Sequence, residues 1–127
     1  MDKQVKKMLQ TESEITLQEK GLTVPGIRLA SVAAGIRYQG RDDLCLLEIA
    51  EKGTVAAVFT RNQFCAAPVI LARQHLTVGS PRYLLINSGN ANAGTGDIGL
   101  QHAYETCQIV ADLAACEVSQ VLPFSTG

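Results

Sequence analysis

The chain of 127 residues suits one domain of ordinary size, and 46% apolar residues with 5% aromatics and no Trp mean a core of Ala, Val, Leu and Ile. A formal net charge of −1, from 11 basic and 12 acidic residues without a basic block, lacks the electrostatic footprint of a nucleic-acid binder. No run approaches the roughly 18 consecutive apolar residues of a membrane span, so neither nucleic acid nor membrane is expected as a partner.

Residues 1–20 are polar, with a short helical pattern at Val5, Met8 and Leu9. Their mixed charges and missing apolar centre do not read as a signal peptide, and a cytoplasmic location is expected. Pro25-Gly26 signals a turn. "RLASVAAGIRY" (28–38) predicts a strand that Gly35 weakens, or where another backbone comes close. "GRDD" is a turn. "LCLLEIA" (44–50) and "TVAAVFT" (54–60) predict two strands joined as a hairpin through "EKG". "PVILARQHL" (68–76) fits a strand or a short helix, since its period does not decide.

"RYLLINS" (82–88) predicts a strand, and a Gly/Asn-rich loop follows it. From Leu100, the residues Ala103, Tyr104, Cys107, Val110, Ala111 and Ala114 form the stripe of an amphipathic helix, with Asp97 as its N-cap. His102 falls on the opposite, solvated face, and His75 is assigned no role. "VSQVLPF" (118–124) predicts a terminal strand that runs into Ser125, Thr126 and Gly127. Cys45, Cys65, Cys107 and Cys116 include no C-x-x-C pair, so reduced, core-filling thiols are expected and a metal site is not.

The loop "INSGNANAGTGDIG" admits two readings from its residues. Gly94, Gly96 and Gly99 match G-x-G-x-x-G, with Glu117 about 20 residues on, as a dinucleotide site requires. Against this, "NSGNANA" separates Ile86 from Gly94, and Glu117 begins the next strand rather than ending it. Gly89 and Gly94 have phosphate-loop spacing, but Thr95-Gly96 stand where Lys and Ser/Thr are needed. The other reading is structural: Gly and Asn tolerate positive φ, and Asn87, Asn90 and Asn92 brace the loop internally. A nucleotide-binding module and a non-catalytic interaction domain both stay open on these residues.

"ASVAAGIR", "GRDDL", "AAVFTRNQFCAAPV", "INSGNANAGTGDIG" and "STG" occur here in an order that resembles the ornithine acetyltransferase, or glutamate N-acetyltransferase, family of arginine biosynthesis. The resemblance runs from about Gly26 to Gly127, and one departure is Gly94, where many members carry Cys. It implies an α/β fold with a mixed sheet and helices outside it, part of a layered α-β-β-α arrangement. Residues 21–127 would be the N-terminal part of the acetyltransferase domain, which would be incomplete, with residues 1–20 as a polar arm or helix. The family moves an acetyl group from N-acetylornithine to glutamate through an acetyl-Thr intermediate. Its nucleophile is a Thr freed by self-cleavage, here expected outside the chain.

Carried over residue by residue, Thr126 and Gly127 form the oxyanion hole, and Ser125 supports the turn. The resemblance implies no cofactor or metal, leaves acetyl-CoA open as a co-substrate, and implies the remainder of the polypeptide as a partner, in an oligomer. The 127-residue chain alone is expected to be inactive.

Overall fold

The computed structural model describes residues 24–127, and the arm expected over 1–20 lies outside them. Four strands form one mixed sheet in the order β1-β2-β3-β4. β2 (Leu44–Ile49) pairs antiparallel with both β1 (Ile27–Val32) and β3 (Tyr83–Asn87), and β4 (Val121–Ser125) lies parallel to β3. Helix α1 (Ala67–Val78) lies between β2 and β3 in the chain. Helix α2 (Gly96–Ala114) and a 3₁₀ turn (Val118–Gln120) make the crossover that a parallel pair requires.

Register fixes which side chains share a face. Leu46, Leu85 and Pro123 lie opposite one another, as do Tyr83 and Val121. The core forms where α2 packs on this face: Leu46, Tyr83 and Val121 meet Ala103, Cys107, Val110 and Ala111, with Leu71 of α1. Cys107 and Ala111 are fully buried, as the helical stripe predicts. Tyr104, on the same predicted stripe, is 43% exposed and meets the His75 ring edge-on.

The segment 68–76 resolves as helix. Pro68 sits in the first turn, where a missing N–H costs nothing, and Leu71, Ala72 and His75 face inward. His75 is buried, and its Nδ1–H donates to the carbonyl of Val121 at 2.7 Å. A carbonyl only accepts, so this bond fixes the tautomer. Sequence reasoning gave His75 no role; its partner is 46 residues away.

Three sequence expectations need correction. Residues 54–60 form no strand, and Val58 is 99% exposed. β2 has β1 on one edge and β3 on the other, so no edge remains for a third partner. The hairpin is instead β1–β2 around the "GRDD" turn. Second, β1 stops at Val32 rather than running to Tyr38. The Asp43 carboxylate captures the Ala34 and Ile36 N–H groups, each at 2.6 Å, and a strand needs those donors for its ladder. Burial raises the pKa of Asp43, but the donors from Ile36, Ala34 and Gly35 outweigh it and hold the carboxyl below its ordinary range. Third, β4 begins at Val121, because Glu117 and Gln120 close a capping box that winds residues 118–120 into a 3₁₀ turn.

All four cysteines are free thiols. Burial pushes the Cys107 thiol up to about 12. It therefore stays protonated, and unreactive as a nucleophile, at any ordinary pH. Thiol titration at pH 8 is expected to leave Cys107 unlabelled in the folded chain and to label it once denaturant is added; fast labelling under native conditions would contradict this packing.

Candidate active site

In an α/β sheet, ligands gather at the carboxyl ends of parallel strands. Here β3 ends at Asn87 and β4 at Ser125, side by side in register. Residues 88–95 fold over these ends, and Thr126 and Gly127 continue from them. An open cleft of about 180 Å³ lies there, between the strand ends and α2. Asn87, Asn90, Asn92 and Ser125 line its polar side, and Ile36, Leu85 and Phe124 its apolar side. His102 is exposed, as predicted, and sits on the rim.

The loop is tied together by its own asparagines. Asn87 Nδ2 donates to the Asn90 carbonyl at 2.9 Å. The Asn92 N–H donates to Asn90 Oδ1 at 3.0 Å. Asn92 adopts φ 48°, which asparagine tolerates better than most residues, and its Nδ2 donates to the Gly99 carbonyl at 2.8 Å. The Asn92 carbonyl accepts from the Ala67 N–H, which pins the start of α1 to this loop.

The glycines have local explanations. A Cβ on Gly99 would lie 1.8 Å from Thr95 Oγ1 and 2.4 Å from Asn92 Oδ1. A Cβ on Gly89, at φ +95°, would lie 2.8 Å from Arg37 Cβ. In a dinucleotide fold the first glycine leaves the strand directly and the last admits helix–strand packing. Here residues 88–93 intervene after β3, and Gly99 makes room for Asn92 and Thr95. The glycine run therefore lacks the geometry of a dinucleotide turn. The N-cap of α2 is Thr95 rather than Asp97; its hydroxyl donates to Asn92 Oδ1 at 2.6 Å, and Asp97 lies in the first turn.

At the end of β4, the Ser125 hydroxyl donates to Asn87 Oδ1 at 2.5 Å. The Thr126 N–H donates to the Asn87 carbonyl at 3.0 Å. Among the described residues, the Thr126 hydroxyl and the Gly127 N–H have no hydrogen-bond partner, and both residues are exposed. A Cβ on Gly127 would have Ala91 as its nearest neighbour, at 4.0 Å. No group of three or more His, Cys, Asp or Glu residues among the described ones is arranged to hold a metal ion.

A mixed sheet with a β-α-β unit, whose strand ends carry an open cleft and a self-braced loop, defines an α/β domain. The ArgJ family model matches residues 28–127, and the chain belongs to the ArgJ family. It is 56% identical over 104 residues to the arginine biosynthesis bifunctional protein ArgJ of Methylococcus capsulatus, covering 82% of this chain and 25% of that protein. The protein of the same name from Psychrobacter arcticus is 48% identical over 113 residues, covering 89% and 28%. The chain thus spans about a quarter of the length of the curated relatives it matches.

Two crystal structures share the fold. One is ArgJ of Bacillus halodurans, with a TM-score of 0.76 at 31% identity, covering 81% of this chain and 54% of that one. The other is ornithine acetyltransferase of Mycobacterium tuberculosis complexed with ornithine, with a TM-score of 0.73 at 40% identity, covering 81% and 56%.

Proposed function

We propose that this chain is the N-terminal part of an acetyltransferase domain that moves an acetyl group from N-acetylornithine to glutamate, with Thr126 and Gly127 as its oxyanion hole. One observation carries the reading: a hydroxyl and a backbone N–H without partners among the described residues stand on consecutive residues at the carboxyl end of a parallel strand, in a member of the ArgJ family.

Each half of such a transfer passes through a tetrahedral intermediate whose oxygen becomes negative. Donors already aimed at that position stabilise it without reorganising. Thr126 offers its Oγ1–H and Gly127 its N–H, and the missing side chain at Gly127 lets the acyl carbon approach. The nucleophile is a Thr outside these 127 residues, activated by its own α-amine after chain cleavage. It attacks the acetyl carbonyl, ornithine leaves with the proton, and glutamate takes the acetyl group in the second half-reaction. The chain covers about a quarter of a full-length relative but about half of each related crystal chain. Those crystal chains are therefore about half as long as the curated relatives, which supports a divided polypeptide.

No cofactor enters this scheme, and acetyl-CoA would serve as an alternative acetyl donor. The face of the sheet opposite α2 carries half-buried Leu47, Leu84 and Ile86, with Phe124 41% exposed; the remainder of the polypeptide and further subunits would cover it. No helix among the described residues is long and apolar enough to cross a membrane; a cytoplasmic location is part of the proposed reading and rests on the family.

The test compares the 127-residue chain with the polypeptide extended to the length of its relatives. With labelled N-acetylornithine, the extended protein should release ornithine and carry a covalent acetyl group on a Thr beyond Gly127. The 127-residue chain should do neither, and turnover by that chain alone would overturn this division of labour.

A further inference from the structure

We propose that Asn87 is the positioning residue of the oxyanion site, with the Ser125 hydroxyl as its handle on the end of β4. The proposal rests on the oxyanion reading of Thr126 and Gly127. Donors at a strand end help only if they are held still: a displacement of about 1 Å in reacting geometry can cost about 100-fold in rate. Thr126 lies just beyond the last residue of β4, where a strand would fray. The packing that anchors β4 through His75 is at its other end, at Val121.

Asn87 supplies the missing restraint from three atoms. Its carbonyl accepts the Thr126 N–H at 3.0 Å, which fixes the backbone beside the donor hydroxyl. Its Oδ1 accepts the Ser125 hydroxyl at 2.5 Å. Its Nδ2 donates to the Asn90 carbonyl at 2.9 Å, which ties the amide to the braced loop. These contacts set the amide orientation. Flipping it would place Oδ1 against the Asn90 carbonyl, acceptor on acceptor. Aspartate would create the same clash and add a charge beside a developing oxyanion. Leucine or alanine would leave the Ser125 hydroxyl unpaired. Asparagine satisfies both side-chain contacts while remaining neutral, and the carbonyl contact to Thr126 is a backbone one that any residue here would keep.

A residue that acts by holding transition-state donors should affect kcat and leave KM alone, because the oxyanion does not exist in the ground-state complex. The experiment uses the complete polypeptide and the N-acetylornithine to glutamate assay. Ser125→Ala and Asn87→Ala are each expected to lower kcat about tenfold or more, with KM within about twofold. The double variant should be no slower than Asn87→Ala alone, since the two act as one unit. Ser125→Thr keeps the hydroxyl and should restore turnover, and Thr126 amide exchange should speed up in Ser125→Ala and recover in Ser125→Thr.

If Asn87→Ala does not fold, the Ser125 pair decides alone. Unchanged kcat in Ser125→Ala and Asn87→Ala, with Thr126→Ala still impaired, overturns the positioning role and leaves the oxyanion reading standing. Ser125→Thr as slow as Ser125→Ala overturns it as well. If Thr126→Ala is also without effect, the oxyanion reading itself fails, and this proposal with it.

Discussion

Thr126→Ala in the complete polypeptide is expected to lower kcat for acetyl transfer by at least tenfold, about 1.4 kcal/mol of transition-state stabilisation, with little change in KM. The substitution deletes one oxygen and one methyl from an exposed residue whose hydroxyl has no partner among the described residues. The Thr126 N–H bond to the Asn87 carbonyl survives it, so the fold should not suffer. A loss of rate without a loss of melting temperature is therefore the signature of a donor aimed at substrate. Thr126→Ser should keep most of the rate. Steady-state kinetics alongside thermal unfolding separate these outcomes, and wild-type kcat in the alanine variant would remove Thr126 from the chemistry. Other oxyanion donors have larger measured values, about 100- to 1,000-fold, so tenfold is the floor of the expectation.

The second large effect is on stability. Gly99→Ala, in the first turns of α2, should destabilise the chain by about 1–3 kcal/mol, as over-filled sites do. Helix propensity alone predicts the opposite sign, a gain of up to about 1 kcal/mol for Ala over Gly. Sterics win because the new Cβ would lie 1.8 Å from Thr95 Oγ1, 2.4 Å from Asn92 Oδ1 and 2.5 Å from Thr95 Cβ. Relief requires Thr95 and Asn92 to move, and Asn92 holds both the Gly99 carbonyl and the Ala67 N–H. In a background of Thr95→Gly and Asn92→Gly the obstructing side-chain atoms are gone, and Gly99→Ala should become neutral or stabilising. Urea unfolding of the four proteins measures the difference; an equal cost in both backgrounds would show that the crowding lies elsewhere.

Much of the fold was legible where one element carried its own signal. The stripe from Leu100 to Ala114 predicts α2, and its period alone puts Cys107 and Val110 in the core. The runs around residues 44–50 and 82–88 became β2 and β3. The misreading of 54–60 has a different origin. That run is apolar enough for a strand, but a strand needs a free neighbouring edge, and which edges are free is a property of the whole sheet. Likewise, Asp43 ends β1 by reaching back to N–H groups seven and nine residues away, which no window on residues 28–38 contains.

The candidate site divides the same way. Its residue types are visible in "INSGNANAG" and "FSTG", and the bracing role of the asparagines is readable from their chemistry. The pairing of Ser125 with Asn87 spans 38 residues and exists only because β3 and β4 lie in parallel register. His75 was opaque for the same reason.

Pro123 has a consequence for how this sheet can be built upon. The Val121 carbonyl points away from β3 to His75, and the Thr126 N–H points toward β3. Alternation along the strand then turns the Pro123 nitrogen outward, where no ladder bond is lost. The same geometry makes β4 a poor template: one outward carbonyl is already taken, and one outward position has no hydrogen to give. Among the described strands, β1 is therefore the more favourable edge for an added strand, and the β4 margin beside Asn87, Ser125 and Thr126 the less favourable one.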